Sequence, residues 1–228
     1  MRINQFLALA TGMGRRAADR EIESGRVLVN GNLASLGQTV SDADKITFGG
    51  HQLEVAKLLT QQAATVIAFN KPTGYVVSRH GQGNKTIYDL LPVQYRNLKP
   101  IGRLDKNSSG LLLLTDDGYL AQELTHPSKQ KIKVYEITLD KPLQPLHHQM
   151  ISDHGIQLED GSSQLHLERL QKDNNRRWRV VMHEGRNRQI RRTFQSLGYK
   201  VIRLHRTQFG AYDLANLKTG EFRIKPSA

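Results

Sequence analysis

Residues 102–114 read GRLDKNSSGLLLL, a loop-forming segment that runs directly into four consecutive leucines. The leucines, Leu111 to Leu114, predict a strand that is buried on both faces. The loop before them is rich in glycine, serine and asparagine and contains one carboxylate, Asp105. Such an aspartate is usually a turn former or a cap. Loops held by rigid strands commonly carry chemistry, however, so Asp105 is the candidate reactive group.

The composition favours a polyanionic partner. The 228 residues include 33 Lys and Arg against 21 Asp and Glu, which gives a formal charge of +12. A protein this basic usually binds nucleic acid, and an anionic membrane surface is the other possibility. No apolar run is long enough to span a membrane, and the N-terminus lacks the apolar core of a signal peptide. Because the sequence has no cysteine, disulfides and thiol catalysis are excluded, and we expect a cytoplasmic protein.

The first part of the chain, residues 1–58, predicts a small module of helices and short strands. Apolar residues recur at helical spacing over residues 2–10 and again over residues 15–24. The pairs Asn30-Gly31 and Gly49-Gly50 predict tight turns between short strands.

Basic residues surround the two predicted helices of this module. They are Arg2, Arg15, Arg16, Arg20 and Arg26. Clustered arginines are candidate contacts for RNA phosphates, although a solvated basic face is the alternative interpretation.

The second part of the chain, residues 65–228, predicts a larger domain after a linker at residues 56–64. Polar and apolar residues alternate from Lys131 to Asp140, which is typical of a strand. Residues 142–175 predict a helix followed by a hairpin around Asp160-Gly161, and we expect no chemistry from them. The histidines within them lack the carboxylate pattern that would complete a metal site.

Residues 176–206 are the most basic segment of the sequence. Ten Lys and Arg stand against one acid, Glu184, so the segment carries +9 of the total charge. A helix is predicted to end near Gly198, with its apolar stripe formed by Ile190, Phe194 and Leu197. Three arginines fall off that stripe, namely Arg188, Arg191 and Arg192. A solvated face is the alternative, but like charges repel, so the concentration of bases favours RNA binding.

Several segments, in this order, resemble the RsuA-like family of RNA pseudouridine synthases, and the resemblance covers nearly the whole chain. They are NKPTG at 70–74, GRLD followed by SGLLLLTDDG within 102–118, KVY at 133–135, GRNRQIRR at 185–192 and VIRLHR at 201–206. RRAAD at 15–19 and GRVLVNG at 25–31 resemble the alpha-L RNA-binding domain, which was first named from the fourth small-subunit ribosomal protein.

The resemblance implies roles for individual residues. Asp105 would be the catalytic residue, Tyr135 would lie against the target base, and Arg191 would form an ion pair with Asp105. Leu104 and Leu204 would pack beside the site, and Arg103 would fill the space that a flipped base leaves or hold the RNA backbone. The remaining candidate RNA contacts are Arg186, Arg188, Arg192, Arg15, Arg16, Arg26 and Lys71, although a structural role for Lys71 is equally compatible with the sequence.

The implied fold is α+β: a small α/β RNA-binding module, then a pseudouridine synthase domain with a mostly antiparallel, bent β-sheet and flanking helices. The implied reaction is isomerisation of uridine to pseudouridine in ribosomal RNA. It involves no redox change, so we expect no cofactor and no metal, and we expect a monomer. Whether Asp105 attacks the base, attacks the sugar or removes a ribose proton stays open.

A non-catalytic RNA-binding or ribosome-assembly protein is the alternative function. Such a protein does not need Asp105, Tyr135 and Arg191 together, and their combined presence favours the enzyme. A metal-dependent nuclease is disfavoured, because the sequence offers no carboxylate cluster.

Overall fold

The computed structural model describes residues 1–53, 65–126 and 129–225, and the chain divides into two compact units, residues 1–63 and 64–228. The predicted linker at 56–64 lies outside the described residues. Within the ranges described, no helix is both long and apolar enough to cross a membrane.

The first unit places two helices beside a small antiparallel sheet. The helices are α1 (Ile3–Thr11) and α2 (Arg15–Glu23). The strands are β1 (Val27–Val29), β2 (Asn32–Leu33), β3 (Ile46–Phe48) and β4 (His51–Leu53), in the order β2-β1-β3-β4. Buried apolar residues from both helices and from β1 and β3 form one core, which includes Ile3, Phe6, Leu7, Ile22, Val27 and Ile46.

The two predicted turns of this unit are confirmed. Asn30 and Gly31 have positive φ angles of 53° and 84° and connect β1 to β2. Gly49 and Gly50 have φ angles of 57° and 83° and connect β3 to β4. Two successive positive φ angles define the hairpin turn whose twist matches that of the flanking strands.

The second unit is built on a large sheet with helices beside it. Its strands are β5 (Val66–Lys71), β6 (Lys99–Ile101), β7 (Ser109–Thr115), β8 (Lys133–Leu139), β9 (Ile156–Leu158), β10 (Gly161–Ser163), β11 (His166–Arg169), β12 (Arg177–Met182), β13 (Val201–Phe209), β14 (Tyr212–Asp213) and β15 (Phe222–Lys225). Its α-helices are α3 (Gly118–Thr125), α4 (Pro145–Gln149) and α5 (Gln189–Ser196). Short 3-10 turns lie at Ile87–Asp89 and Val93–Tyr95, and a π-helical turn at Met150–His154 follows α4.

The large sheet has the order β11-β12-β8-β13-β7-β5-β15, with β14 beside β13 and β6 beside β7. All of these pairs are antiparallel except β13 with β7, which is parallel. The predicted α+β class and the mostly antiparallel sheet are therefore confirmed. Strands β9 and β10 form a separate hairpin, as predicted around Asp160-Gly161.

The predicted leucine strand is the centre of this unit. Leu111 to Leu114 are all fully buried on β7. Leu112 and Leu114 belong to the main core, whereas Leu111 and Leu113 belong to a second cluster with α3 and Phe209. A strand covered on both faces explains why the apolar run does not alternate with polar residues.

Gly110 lets β13 approach β7. Its φ angle is 104°, and a Cβ atom at this position would lie 2.2 Å from the backbone oxygen of Arg206. Residue 110 pairs with Arg206, and Ser109 pairs with His205. Because the Asp105 loop leads directly into β7, this contact also sets the distance between the loop and β13.

We predict that Gly110→Ala lowers the free energy of unfolding by at least about 2 kcal/mol, because both the φ angle and the backbone contact exclude a side chain. Urea unfolding followed by fluorescence of Trp178, which is the single tryptophan of the sequence and is buried in this unit, measures the effect. Gly118→Ala, at the start of α3 with open space around it, is the control and should change stability by less than about 1 kcal/mol. Equal effects of the two substitutions would contradict the prediction.

Candidate active site

The Asp105 loop connects β6 to β7 and opens onto a cavity of about 480 Å³. This volume lies in the usual range of small-molecule sites. The lining combines the loop, the face of β8 and β13, and the segment that leads into α5. The lining includes Arg103, Leu104, Asp105, Lys133, Tyr135, Arg188, Leu204, Arg206 and Phe209.

Lys71 binds the backbone of the Asp105 loop through buried hydrogen bonds. Its side chain is fully buried, and Nζ donates to the carbonyl oxygens of Pro72 at 2.9 Å, Asp105 at 3.2 Å and Ser108 at 2.8 Å. The Lys106 carbonyl accepts from the Gly74 N–H, and the Asp105 carbonyl accepts a second hydrogen bond from the Ser108 N–H. The backbone around Asp105 is therefore fixed by buried hydrogen bonds.

The interpretation of Lys71 as a phosphate contact is wrong. A fully buried ammonium group that donates to three carbonyls does not reach RNA. Burial lowers the pKa of Lys71 to about 8, while the negative charge of Asp105 acts in the opposite direction. The structure supports the alternative interpretation, in which Lys71 has a structural role.

Arg188 is the cation that reaches the carboxylate of Asp105. Its Nη1 lies 3.4 Å from Oδ2, and the two side chains are 50% and 37% exposed. Arg188 precedes α5 with φ 47° and ψ 29°, a left-handed conformation that residues other than glycine adopt infrequently. This backbone turn lets the residue before the helix point its side chain towards the loop.

The predicted ion pair between Arg191 and Asp105 is absent from the described residues, so that expectation is wrong. Arg191 instead donates to the backbone oxygen of Val201 at 2.5 Å and to that of Asn107 at 2.8 Å. Burial lowers the pKa of Arg191, as does Arg188, while Asp105 raises it. Arg191 therefore links the loop to the start of β13, and Arg188, one helical turn earlier, provides the ion pair.

Arg186 and Arg192 bind the β9–β10 hairpin. Asp160 accepts from Arg192 Nη1 at 3.0 Å and Nη2 at 2.6 Å, and from Arg186 Nη1 at 3.0 Å. Arg186 also donates to the backbone oxygens of Gly161 and Ser162. Hydrogen bonds from Arg192 hold the pKa of Asp160 below its usual value.

Arg186 and Arg192 keep 20% and 28% of their side chains exposed, so their assignment as RNA contacts stays a prediction. These contacts correct a different expectation. The hairpin, for which no chemical role was expected, contributes Asp160 and thereby orients the segment that carries Arg188. A charged turn at Asp160-Gly161 was visible in the sequence, but its partners lie 26 and 32 residues further along the chain.

The cavity wall contains the other predicted residues. Tyr135 is buried on β8, and the buried side chains of Leu104 and Leu204 line the same cavity. Arg103 is exposed at the cavity, next to Asp105 in the chain. The structure thus brings Asp105, Tyr135, Leu104, Leu204 and Arg103 to one cavity.

Two further cations at the cavity were missed as site residues in the sequence. Arg206 is buried on β13 beside Tyr135, and Lys133 lies two residues before Tyr135 on β8. Burial lowers the pKa of Lys133, and the charge of Arg206 lowers it further, while Glu184 acts in the opposite direction. Arg206 could have been identified from the sequence, because it lies two residues after Leu204 on a strand that was already assigned to the site. Residues two apart on a strand share one face.

In the first unit the arginines that were predicted to contact RNA lie at the surface. Arg15 and Arg16 are exposed on α2. Arg26 is exposed as well and forms an ion pair with Glu21 at 2.7 Å. Their side chains are accessible to a ligand.

The lowered pKa of Lys71 predicts a dependence of stability on pH. From about pH 8 to its ordinary value of 10.5, the unfolded chain keeps a proton that the folded chain has lost, so this group's contribution to the free energy of unfolding rises with pH. We expect Lys71→Met, which cannot titrate, to lack this contribution.

The stability difference between wild type and Lys71→Met should therefore widen by roughly 1–3 kcal/mol between pH 8 and pH 10.5. Urea unfolding monitored by Trp178 at several pH values measures it. A difference that stays constant over this range would show that the ammonium group is not destabilised by burial.

Comparisons with known proteins point to one family. The family model described as RNA pseudouridylate synthase matches residues 65–196. Ribosomal large subunit pseudouridine synthase B of Bacillus subtilis is 33% identical over 228 residues, covering 97% of this chain and 91% of that protein. The protein of the same name from Xylella fastidiosa is 39% identical over 218 residues, covering 92% of this chain and 45% of that protein.

The chain spans less than half the length of the first curated relatives that it matches. A solved structure described as "Crystal structure of pseudouridylate synthase" is 29% identical, with a TM-score of 0.68, and the match covers 99% of this chain and 96% of that one. The family model covers more than half of the sequence, and the Bacillus relative is matched over most of its length. This chain therefore belongs to the RNA pseudouridylate synthase family.

Proposed function

We propose that this protein isomerises uridine to pseudouridine at a specific position of ribosomal RNA, without a cofactor. Membership of the family supports the reaction, and the names of the relatives favour the RNA of the large ribosomal subunit as the substrate. The observation that carries the proposal is the cavity in which Asp105 meets Tyr135, Leu204 and a cation.

Asp105 is the nucleophile in this proposal. The reaction breaks the bond between N1 of uracil and C1′ of the ribose, rotates the base and rejoins it through C5. A carboxylate that attacks must be ionised and must lose its water, and Arg188 at 3.4 Å compensates its charge when water leaves. Because Asp105 is 37% exposed here, entry of the RNA would complete its shielding.

Arg191 acts as a positioning residue. It binds the backbone oxygens of Asn107 and Val201, which ties the Asp105 loop to β13, while Arg188 supplies the charge. In this proposal the tasks are divided between Arg188, which precedes α5, and Arg191 within it, in place of the single ion pair that the resemblance implied.

Tyr135 stacks on the target base in this scheme, and its phenol oxygen takes part in proton transfer. The base has to leave its stack, which costs roughly a few kcal/mol. Arg103, exposed beside Asp105, fills the vacated space or holds the RNA backbone. Leu104 and Leu204 keep water from the reacting atoms.

Residues 1–58 form the RNA-binding module of this proposal, and residues 65–228 form the catalytic domain. Exposed arginines on α2 and after it, Arg15, Arg16 and Arg26, support phosphate contacts. An accessory RNA-binding unit would recruit the substrate while the cavity acts on one nucleotide.

We predict that cells lacking this protein lose one pseudouridine in ribosomal RNA, and that Asp105→Asn fails to restore it. Asn keeps the size of the side chain but cannot act as a nucleophilic carboxylate. Carbodiimide modification with primer extension across both large ribosomal RNAs locates the site. Asp173→Asn, an exposed substitution of the same kind in a turn, is the control and should restore the modification fully.

Restoration by Asp105→Asn would exclude the carboxylate as nucleophile. If no site is lost in either ribosomal RNA, the alternative of a non-catalytic RNA-binding protein becomes the better interpretation.

We predict that Arg191→Gln and Arg188→Gln affect different properties. Arg191→Gln removes charged hydrogen bonds to two backbone oxygens and should lower the free energy of unfolding by about 2–3 kcal/mol. Arg188→Gln, at an exposed position, should change stability by less than about 0.5 kcal/mol and still slow the single-turnover formation of pseudouridine. Urea unfolding and a single-turnover assay separate the two effects, and a stability loss confined to Arg188→Gln would contradict this assignment.

A further inference from the structure

Arg206 is a buried cation at the active site that lacks a complete set of partners. Only 2% of its surface is exposed, yet it lines the cavity. Nε donates to the backbone oxygen of Leu111 at 2.7 Å, and the guanidinium lies 4.9 Å from the ring centre of Phe209. Among the described residues, Nη2 is buried without a hydrogen-bond partner, and no carboxylate forms an ion pair with Arg206.

A buried guanidinium group without a full set of hydrogen-bond partners lowers the stability of the folded protein. Buried polar atoms are almost always hydrogen-bonded, and buried charges are normally paired. Lys133 adds a second positive charge to the same wall, and its pKa is lowered in part by Arg206. The cavity wall is therefore electropositive at a point where, in the part of the chain that the structure describes, no carboxylate pairs with Arg206.

The position of Arg206 points to the base rather than to the RNA backbone. On the sheet it pairs with Tyr135 on one side and with Gly110, directly after the Asp105 loop, on the other. Leu204, two residues earlier on the same strand, lines the cavity too. A uracil that lies against Tyr135 and within reach of Asp105 thus lies next to Arg206.

The reaction generates the charge that such a cation stabilises. When the N1–C1′ bond breaks, its electron pair stays on the uracil ring and is shared between N1 and the two carbonyl oxygens, while the Asp105 carboxylate bonds to C1′. C5 then attacks C1′ and displaces the carboxylate, the proton on C5 leaves to a base, and N1 gains a proton. If Asp105 adds to the ring instead, or removes a ribose proton, negative charge again reaches the uracil ring.

We propose that Arg206 is a further catalytic residue, whose guanidinium group donates to a carbonyl oxygen of the target uracil and stabilises the negative charge on the detaching ring. This inference rests on the proposed function. A donor held in place by Leu111 and Phe209 needs no reorganisation when the charge develops, which is the condition under which such donors are most effective.

The first test compares Arg206→Gln with Arg203→Gln in single-turnover assays at saturating RNA. Arg203 is exposed on the same strand, so its substitution makes the same change of charge outside the cavity. We expect Arg206→Gln to slow the reaction by about 10²–10³-fold, the usual effect of removing one such donor, with RNA affinity close to that of Arg203→Gln. Trp178 fluorescence during urea unfolding shows whether each variant is folded.

The second test changes the substrate and needs no variant. Sulfur accepts hydrogen bonds weakly, so RNA with 2-thiouridine or 4-thiouridine at the target position removes the acceptor at one carbonyl at a time. We expect one of the two to slow the wild-type enzyme and to slow Arg206→Gln no further, which also identifies the oxygen that Arg206 contacts.

The inference is overturned if Arg206→Gln reacts at the rate of Arg203→Gln, if neither thio-substituted RNA slows the wild type, or if the thio effect is equally large in the variant. Each of these outcomes presupposes a wild-type enzyme that forms pseudouridine from unmodified RNA. A wild type that forms none overturns the proposed function itself, so the two failures are distinguishable.

Discussion

The buried ammonium group of Lys71 is the interaction on which the site depends. Three carbonyl oxygens converge on it, two of them from the loop that presents Asp105. Loops of glycine, serine and asparagine have many accessible conformations, and fixing one of them costs entropy for each residue. A single buried donor that binds the loop at Asp105 and at Ser108 lets a flexible sequence hold a carboxylate in one place.

A second constraint acts on the other side of the loop. Gly110 allows the backbone of β13 to approach β7 so closely that no side chain fits between them. The same contact brings Tyr135, Leu204 and Arg206 up to the loop, since all three lie on β8 and β13. Arg191 then closes the arrangement by joining Asn107 to Val201. The cavity is therefore a product of backbone contacts that side-chain patterns do not reveal.

The sequence predicted what local patterns and the family resemblance determine. The leucine strand, both hairpin turns of the first unit, the α+β class and the convergence of Asp105, Tyr135 and Leu204 on one cavity were all anticipated. The errors concern basic residues, namely Lys71 and the partner of Asp105. A lysine or an arginine looks the same in sequence whether it binds a carbonyl, a carboxylate or a phosphate. Only the positions of acceptors far along the chain, such as Asp160, distinguish these cases.

The hairpin of β9 and β10 also reduces the number of positive charges in residues 176–206 that are available to RNA phosphates. Of the ten Lys and Arg in this segment, seven donate to protein acceptors, and four of these seven are buried or half-buried: Arg186, Arg191, Arg192 and Arg206. Counterions are released only where a cation meets a phosphate, and each such contact steepens the salt dependence of affinity. The salt dependence of RNA binding by this segment therefore reflects at most six contacts, so its affinity falls less steeply with salt than its sequence charge implies.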